Sequence, residues 1–358
     1  MAGFDYGNAR LKAMKSRLLA RRDLDALVEA KSLQGLIAAL VKTTYQRPVE
    51  SALARESGID CISEALRKDM IQTFTKIQNF YIDPEREFVS IILRKYDIHN
   101  IKAIFRGLAN HASFNEIFIT LLPVGELTED MLIELCRAPG LRPAMDLLAT
   151  IGHSFAQPIL KLRIEHPGAG LPRIELTLDR WYYEEVYRCI ESSRLERRVI
   201  LSAFQLDADI ANLLTVIRFV HLPSERQFLR EWLGTDDLGP LFLSPGLLPL
   251  ELLELAGEQG TLDETVATLS GTTYEPPLRA GLKAYRDSLH LSEFEKHLQR
   301  FRLMWMSRLI SKDPLGIGVL LGFLALKVNE ISNIRWIAQG ISLGWKVDAI
   351  RKELEYPL

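Results

Sequence analysis

Two short motifs recur three times along this chain, in the same order and at nearly constant spacing. The first consists of a hydroxyl residue, an aromatic ring, two variable residues, a proline and an aliphatic residue, and it occurs at 44–49, 154–159 and 273–278. The second reads acid-x-x-Asn-aliphatic-x-x-aliphatic-x-Arg/Gln, and it occurs at 97–106, 209–218 and 330–339. Self-similarity of this kind predicts a repeat architecture.

The spacing of the two motifs strengthens this interpretation. The prolines of the first motif are 110 and 119 residues apart, while the asparagines of the second are 112 and 121 residues apart. Within one copy, the proline and the asparagine are separated by 52, 54 and 56 residues. The positions concerned are Pro48, Pro158, Pro277, Asn100, Asn212 and Asn333. Because both series shift together, they indicate three divergent units of about 110 residues.

The repeat predicts an all-α fold with three helical-bundle units in one chain. Apolar residues follow a helical period, as in Leu66, Met70, Phe74 and Ile77, and alternating patterns are scarce. We expect an N-terminal amphipathic helix within residues 1–23, a first unit over 24–124, a second over 125–240 and a third over 241–358. Turn-forming residues mark the expected joints near 122–125 and 234–245. Three similar units can close about a pseudo-threefold axis into a funnel, although an open array fits the sequence too.

The second copy departs from the other two after its asparagine motif. Copies one and three continue with Gly107 and Gly340, whereas the second copy has Phe219 at this position and Pro223 soon after. We therefore expect the helix that leaves the second unit to be altered.

The residues of the second motif suit a structural role. The acids Asp97 and Asp209 can cap a helix, with Asn100 and Asn212 in its first turn. In the third copy Glu330 is a weaker cap before Asn333. The alternative is functional, because the three helices could direct the polar residues that end the motif toward a shared surface. Those residues are Arg106, Arg218 and Gln339.

Composition and motifs exclude several other classes of protein. The formal net charge of −2 argues against a nucleic-acid binder, and three scattered cysteines predict neither a disulfide framework nor a metal site. The seven histidines form no zinc-binding motif, and no nucleophile elbow or phosphate loop is present, so we expect no catalytic residues, metal or cofactor. The longest apolar run, 315–326, is too short for a transmembrane helix, which needs about 20 residues.

The N-terminus predicts a basic amphipathic helix from about residue 7 to 22. Such a helix can bind anionic lipid or a partner. We favour a helix packed on the body of the protein with a solvated basic face, because its apolar stripe is narrow.

Three segments of the chain resemble the C subunit of archaeal and bacterial A/V-type ATPases, the counterpart of the d subunit of the vacuolar proton pump. These are the opening segment 6–14, the motif segment 96–107 and the closing segment 329–340. The resemblance covers essentially the whole chain and includes its length and its three units.

The resemblance implies a non-catalytic funnel of three helical bundles. Such a protein sits on the cytoplasmic side of the proteolipid rotor ring as a peripheral protein, receives the central stalk, and couples ATP hydrolysis or synthesis to proton or sodium transport. On this basis we expect Lys102, Arg106, Arg218 and Arg335 to contact partners, because they follow the repeated asparagines.

Two other classes stay open at this point. A generic α-helical scaffold or adaptor unrelated to ion transport shares every feature except the family motifs. A helical enzyme would need a buried cluster of titratable groups, which the sequence does not indicate.

Overall fold

A computed structural model describes residues 3–192, 197–222, 224, 227 and 238–357. Within these ranges the chain is all-helical, which confirms the predicted fold class. The helices are α1 Asp5–Lys15, α2 Arg21–Val28, α3 Leu33–Leu40, α4 Gln46–Leu53, α5 Gly58–Gln78, α6 Glu85–Ala109, α7 Phe114–Phe118, α8 Glu129–Cys136, α9 Leu141–Thr150, α10 Ala156–Glu165, α11 Leu171–Ser192, α12 Arg197–His221, α13 Leu250–Gly257, α14 Leu262–Thr268, α15 Glu275–Ser288, α16 Ser292–Lys312, α17 Gly318–Ser342 and α18 Val347–Glu353. A 3-10 turn, Gly239–Leu241, precedes α13.

The same run of helices recurs three times. Each run begins with an eight-residue helix, which is α2, α8 or α13. Two further short helices and a long helix follow, and each run then reaches a 25-residue helix, which is α6, α12 or α17. Each of these 25-residue helices carries one copy of the acid-x-x-Asn motif. The internal repeat of the sequence is therefore matched by a repeated order of helices.

The chain packs as two compact units. The first contains residues 1–178 and 309–358, and the second contains residues 179–308. In the first unit α17 contacts α1, α2, α3 and α5, and the buried rings of this unit include Phe74, Phe105 and Phe323. In the second unit α12 packs against α13 and α14, which also contact each other. Residues 234–237 of the predicted joint at 234–245 lie outside the described residues, and Pro223 also lies outside them.

The N-terminal helix is shorter than predicted. It ends at Lys15, and Arg21 already begins the next helix. The amide of Asn8 donates to the carbonyl of Gly316 at 2.9 Å and accepts from the Tyr81 hydroxyl at 3.0 Å. Leu11 is fully buried while the basic residues of the helix are exposed. The helix thus packs on the body of the protein with a solvated basic face, as favoured from the sequence.

One described helix, Arg197–His221, is long and apolar enough to cross a membrane by length and composition. Of its most apolar window, 56% is buried inside the protein, and a soluble core helix meets the same criterion. Two polar residues, Asp209 and Asn212, are buried in this helix. Packing in the second unit accounts for its apolar character.

Candidate functional site

The repeated acids do not cap helices. Asp97 lies near the middle of α6, Asp209 near the middle of α12 and Glu330 near the middle of α17. These carboxylates are at most 4% exposed. The capping interpretation is wrong for a physical reason: helix-interior amides already have partners four residues back, so the carboxylates bind backbone from elsewhere in the chain.

In the first copy, Asp97 and Asn100 hold the segment that leads into the second copy. Asp97 accepts the backbone N–H groups of Glu126 at 2.8 Å and Leu127 at 3.0 Å. The Asn100 amide makes a reciprocal pair with Leu122, donating to its carbonyl and accepting from its N–H, both at 2.8 Å. Together these bonds satisfy backbone groups that no helix or strand would pair. We call such an arrangement a clamp.

The second copy repeats the clamp in α12. Asp209 accepts the N–H groups of Leu247 and Leu248, and Asn212 makes the reciprocal pair with Leu243 at 2.9 and 2.8 Å. The asparagine and its partner are 31 residues apart here, compared with 22 in the first copy. The acid and its first partner show the same extension, at 38 residues compared with 29. The second copy therefore has nine additional residues in this loop and keeps the register of the clamp.

A glycine lies against the carboxylate in both clamps. A Cβ atom built on Gly125 would lie 2.1 Å from an oxygen of Asp97, and one on Gly246 would lie 2.1 Å from an oxygen of Asp209. Each position thus needs the close backbone approach that glycine allows.

The third copy binds the N-terminal segment instead. Glu330 accepts the backbone N–H of Leu19, which lies shortly before α2, and the hydroxyl of Tyr45 at 2.7 Å. The ammonium of Lys327 lies 2.8 Å from Glu330 and 2.7 Å from Asp69.

The asparagine of the third copy forms the same reciprocal pair as in the other two copies. Asn333 donates to the carbonyl of Glu355 at 2.8 Å and accepts from its N–H at 3.0 Å. The two residues are 22 apart, as Asn100 and Leu122 are in the first copy.

In two cases the aromatic residue of one copy donates a hydrogen bond to the acid of another copy. Tyr45 donates to Glu330, and Tyr274 donates to Asp209 at 2.8 Å. The third aromatic residue, Phe155, has no hydroxyl and is fully buried. The motif prolines Pro48, Pro158 and Pro277 each occupy the third residue of a helix, where the missing N–H removes no helical bond. Each buried ring of the motif thus lies directly before the first residue of a helix.

His153 occupies the neighbourhood of Asp97. Its ring stacks on Phe155 with centroids 4.3 Å apart, and its Nε2 lies 3.3 Å from the Glu126 carboxylate. The guanidinium of Arg94 also binds Glu126, at 2.6 Å. The hydrogen bond from His153 holds the pKa of Glu126 at about 2 despite partial burial, and Arg94 contributes in the same direction.

The electrostatics of the three clamps differ. Burial raises the pKa of Asp97 to about 6, against the opposing effect of its two backbone hydrogen bonds. Burial also raises the pKa of Asp209, although the Tyr274 hydroxyl opposes that change. In the third clamp burial works against the Lys327 ammonium, yet Glu330 and Asp69 raise its pKa above the ordinary value. The third clamp is thus a buried ion cluster.

Three of the four predicted partner-binding residues lie close together in the first unit. Desolvation lowers the pKa of His99, and the positive charges of Lys102, Arg106 and Arg335 lower it further. Arg106 and Arg335 are exposed, and the Arg106 Nε donates to Glu175 at 2.6 Å. Arg218 is also exposed, on α12 in the second unit.

The clamp residues outside the two motifs were not predicted from the sequence. The role of Lys327 could have been predicted from the sequence. A lysine at the end of a long apolar run, three residues before an acid, is typical of a buried ion pair. Gly125 and Gly246 each precede a clamped amide, but a lone glycine in a loop does not reveal a carboxylate distant in sequence.

Fold and site together define a class of protein. The described residues form a helical repeat whose polar motif residues bind backbone inside the protein, and no group of three His, Cys, Asp or Glu in this part of the chain is placed to hold a metal ion. This is the pattern of an α-helical repeat protein.

Comparison with known proteins is specific about the family. A model of the ATP synthase (C/AC39) subunit family matches residues 7–353. Proteins named as the C subunit of A-type ATP synthase are similar over 99% of this chain: that of Methanococcoides burtonii is 28% identical with 94% of its length covered, and that of Halobacterium salinarum is 26% identical with 97% covered. The chain therefore belongs to the ATP synthase C/AC39 subunit family.

Proposed function

We propose that this chain is the socket of an A/V-type rotary ATPase, joining the central stalk to the proteolipid rotor ring. The observation that carries the proposal is the family match over residues 7–353, supported by relatives named as the C subunit of A-type ATP synthase. In this role the chain couples ATP hydrolysis or synthesis to proton or sodium transport. It contributes no catalytic residues and lies as a peripheral protein on the cytoplasmic face of the membrane.

The clamps support a pseudo-threefold funnel with unit boundaries near 124 and 240. Asp97 binds the segment that enters the second repeat, and Asp209 binds the segment that enters the third repeat. Glu330 of the third repeat binds Leu19, at the entry to the first repeat. Contacts that lead from one to two, two to three and three to one are those that a closed ring requires.

A ring of this kind suits the transmission of torque. Each joint is held by buried bonds to a charged group, which are stronger than bonds between neutral groups. The 25-residue helices carry cations just beyond their clamps, half-buried at Lys102 and exposed at Arg106, Arg218 and Arg335. We propose that these residues line the surface that grips the stalk.

The first test is recovery of the chain from detergent-solubilised membranes of its own organism. An affinity tag on the full chain should bring down the catalytic head and the rotor ring. Recovery of the chain only as a free cytosolic monomer contradicts the proposal and favours the alternative, an adaptor unrelated to ion transport.

The stalk-binding surface has a test of its own. The double charge reversal Arg106→Glu/Arg218→Glu should weaken binding of the purified stalk subunits in a pull-down. The reversal Arg188→Glu/Arg279→Glu is the matched control, because those two arginines are 76% and 63% exposed and lie outside the motif. Equal binding of the stalk subunits by both double variants would show that Arg106 and Arg218 do not contribute to the stalk-binding surface.

A further inference from the structure

The backbone that follows the 25-residue helix has the same hydrogen-bond pattern and conformation in the first and third copies. We call this segment the exit of the copy. In each, the N–H two residues before the next helix begins donates to a glycine carbonyl, from Ala112 to Gly107 at 2.9 Å and from Trp345 to Gly340 at 2.8 Å. The residue before that donor has positive φ in both copies, 55° at His111 and 69° at Gly344.

Side-chain packing at this exit is also shared. A Cβ built on Gly107 would lie 2.4 Å from Ile117, and one on Gly340 would lie 2.6 Å from Ile350, at the same offset. The fold of this exit therefore does not depend on the residues that differ between the copies.

The exposed residues differ sharply between these two exits. The third copy exposes Trp336 at 39%, Leu343 at 60% and Trp345 at 38%. The first copy has Ala103, Asn110 and Ala112 at the corresponding positions. Since the first copy forms the same exit without large apolar residues, folding does not explain their presence in the third. An exposed apolar cluster that the fold does not require marks an interaction surface.

The geometry of the cluster favours a protein partner. The two indole rings stack on each other with centroids 6.4 Å apart and planes inclined by 24°. Because more than half of each tryptophan is buried, the two stacked rings form a fixed, shallow surface, and tryptophan flanked by arginine is typical of binding hot spots. A lipid surface is less suited, because the Asp348 side chain, 90% exposed, lies only three residues from Trp345.

The charges around the cluster indicate the chemistry of that partner. Arg335 and Lys346 are exposed on either side of it in sequence. Two acids lie nearby in the described chain, Asp348 and Glu29, and both pair with Arg351, which leaves Arg335 and Lys346 as the exposed cations next to the tryptophans in sequence. The surface is thus apolar with a cationic border. It complements a helix that has apolar residues one turn apart, flanked by carboxylates.

We propose that Trp336, Leu343 and Trp345 form a docking surface for an acidic amphipathic helix of another protein of the ATPase. This inference rests on the proposed function and specifies one contact within it. The first copy lacks this surface, so the surface distinguishes the third copy of the repeat from the first.

The test uses the full chain with the tryptophans replaced by the alanines that the first copy carries. Trp336→Ala/Trp345→Ala should reduce co-purification of the partner protein by roughly tenfold or more, as expected for loss of two hot-spot residues. The control is Ile82→Ala/Ile119→Ala, which removes two apolar side chains that are 68% and 62% exposed elsewhere in the same unit. Circular dichroism should be unchanged in both variants, which shows that each remains folded.

A photo-crosslinking residue at position 343 identifies the occupant. The expected product joins this chain to an acidic, helix-forming segment of a stalk or ring protein. A crosslink within the chain, to a second copy or to lipid overturns the proposal. Tryptophan-dependent flotation of the purified chain with phosphatidylglycerol-containing vesicles does so as well.

The outcomes separate this proposal from the proposed function. If the wild-type chain recovers the ATPase and the tryptophan variant recovers it equally, only the docking surface is wrong. If the wild-type chain recovers no part of the ATPase, the proposed function fails and this inference fails with it.

Discussion

The clamps built on Asp97 and on Glu330 descend from one motif and lie in the same compact unit, yet they stabilise their carboxylates differently. Glu330 has a lysine ammonium, a tyrosine hydroxyl and a backbone N–H as partners. Asp97 has two backbone N–H groups, while the nearby His153 binds Glu126. The reciprocal asparagine pair is the same in both. The asparagine thus fixes the geometry of the joint. We call the Asp97 clamp uncompensated, because only backbone N–H groups offset the burial of its carboxylate, and the Glu330 clamp compensated, because the Lys327 ammonium offsets it.

The largest effect should follow from loss of the lysine in the compensated clamp. Lys327→Met leaves Glu330 and Asp69 as buried charges without their cation, which costs about 3–5 kcal/mol of unfolding free energy. Equilibrium urea unfolding measures the change. Lys161→Met is the control, because its pair with Glu165 is exposed and 3.9 Å long and is worth less than about 1 kcal/mol. Similar losses in both variants would contradict the buried ion cluster.

The uncompensated clamp should instead respond to pH. The pKa of Asp97 is raised to about 6, so the folded protein binds an additional proton between about pH 4 and 6, and its contribution to stability is lost as the pH rises through 6. The shift corresponds to about 3 kcal/mol. Glu126, with its pKa lowered to about 2, acts in the opposite sense, because its stabilisation is lost as the pH falls below about 4.5.

The substitution Asp97→Asn isolates the first of these effects. Urea unfolding at pH 4.5 and pH 7.5 should show that the variant gains stability relative to the wild type at the higher pH. The wild-type chain is the reference at each pH, since Glu126 titrates in both proteins. A constant difference between the two proteins across this range would show that Asp97 does not titrate there.

The second unit offers an intermediate case. Tyr274→Phe removes the hydroxyl that donates to Asp209, and loss of a buried hydrogen bond to a charged group costs about 1.5–3 kcal/mol. Tyr285→Phe is the matched control, since its hydroxyl bonds the ring of His221 at 3.1 Å in a partly buried position. Urea unfolding of the two variants should show the larger loss for Tyr274. A larger loss of unfolding free energy for Tyr285→Phe would show that the Tyr274 hydroxyl contributes little to the clamp.

Much of the helical architecture was readable from the sequence because it depends on local patterns. Apolar spacing predicts the long helices, and the two motifs in register predict that one run of helices recurs. The roles of Asp97 and Asp209 were not readable, because a carboxylate before a helical pattern is a good cap in isolation. Their partners are loop amides 29 to 39 residues away, and sequence spacing does not reveal such pairs.

The exit of the second copy is another feature that the sequence predicts only in part. Phe219 replaces a glycine that in the other copies admits an isoleucine from the following helix, so an altered exit was expected. Phe219 is buried near the end of α12, and the loop that follows is nine residues longer before it reaches the clamp. Much of that loop lies outside the described residues, so the altered exit helix stays a prediction.

The smallest effect is also the sharpest test of the comparison between clamps. Phe155 occupies the position of Tyr45 and Tyr274, so Phe155→Tyr supplies the hydroxyl that the Asp97 clamp lacks. A hydroxyl that reaches the carboxylate favours its ionised form, and the gain should be about 1 kcal/mol at pH 8 and smaller at pH 5. Urea unfolding at the two pH values measures it. Stabilisation equal at both values would mean that the hydroxyl bonds another acceptor, and destabilisation at both would mean that the pocket beside His153 has no room for it.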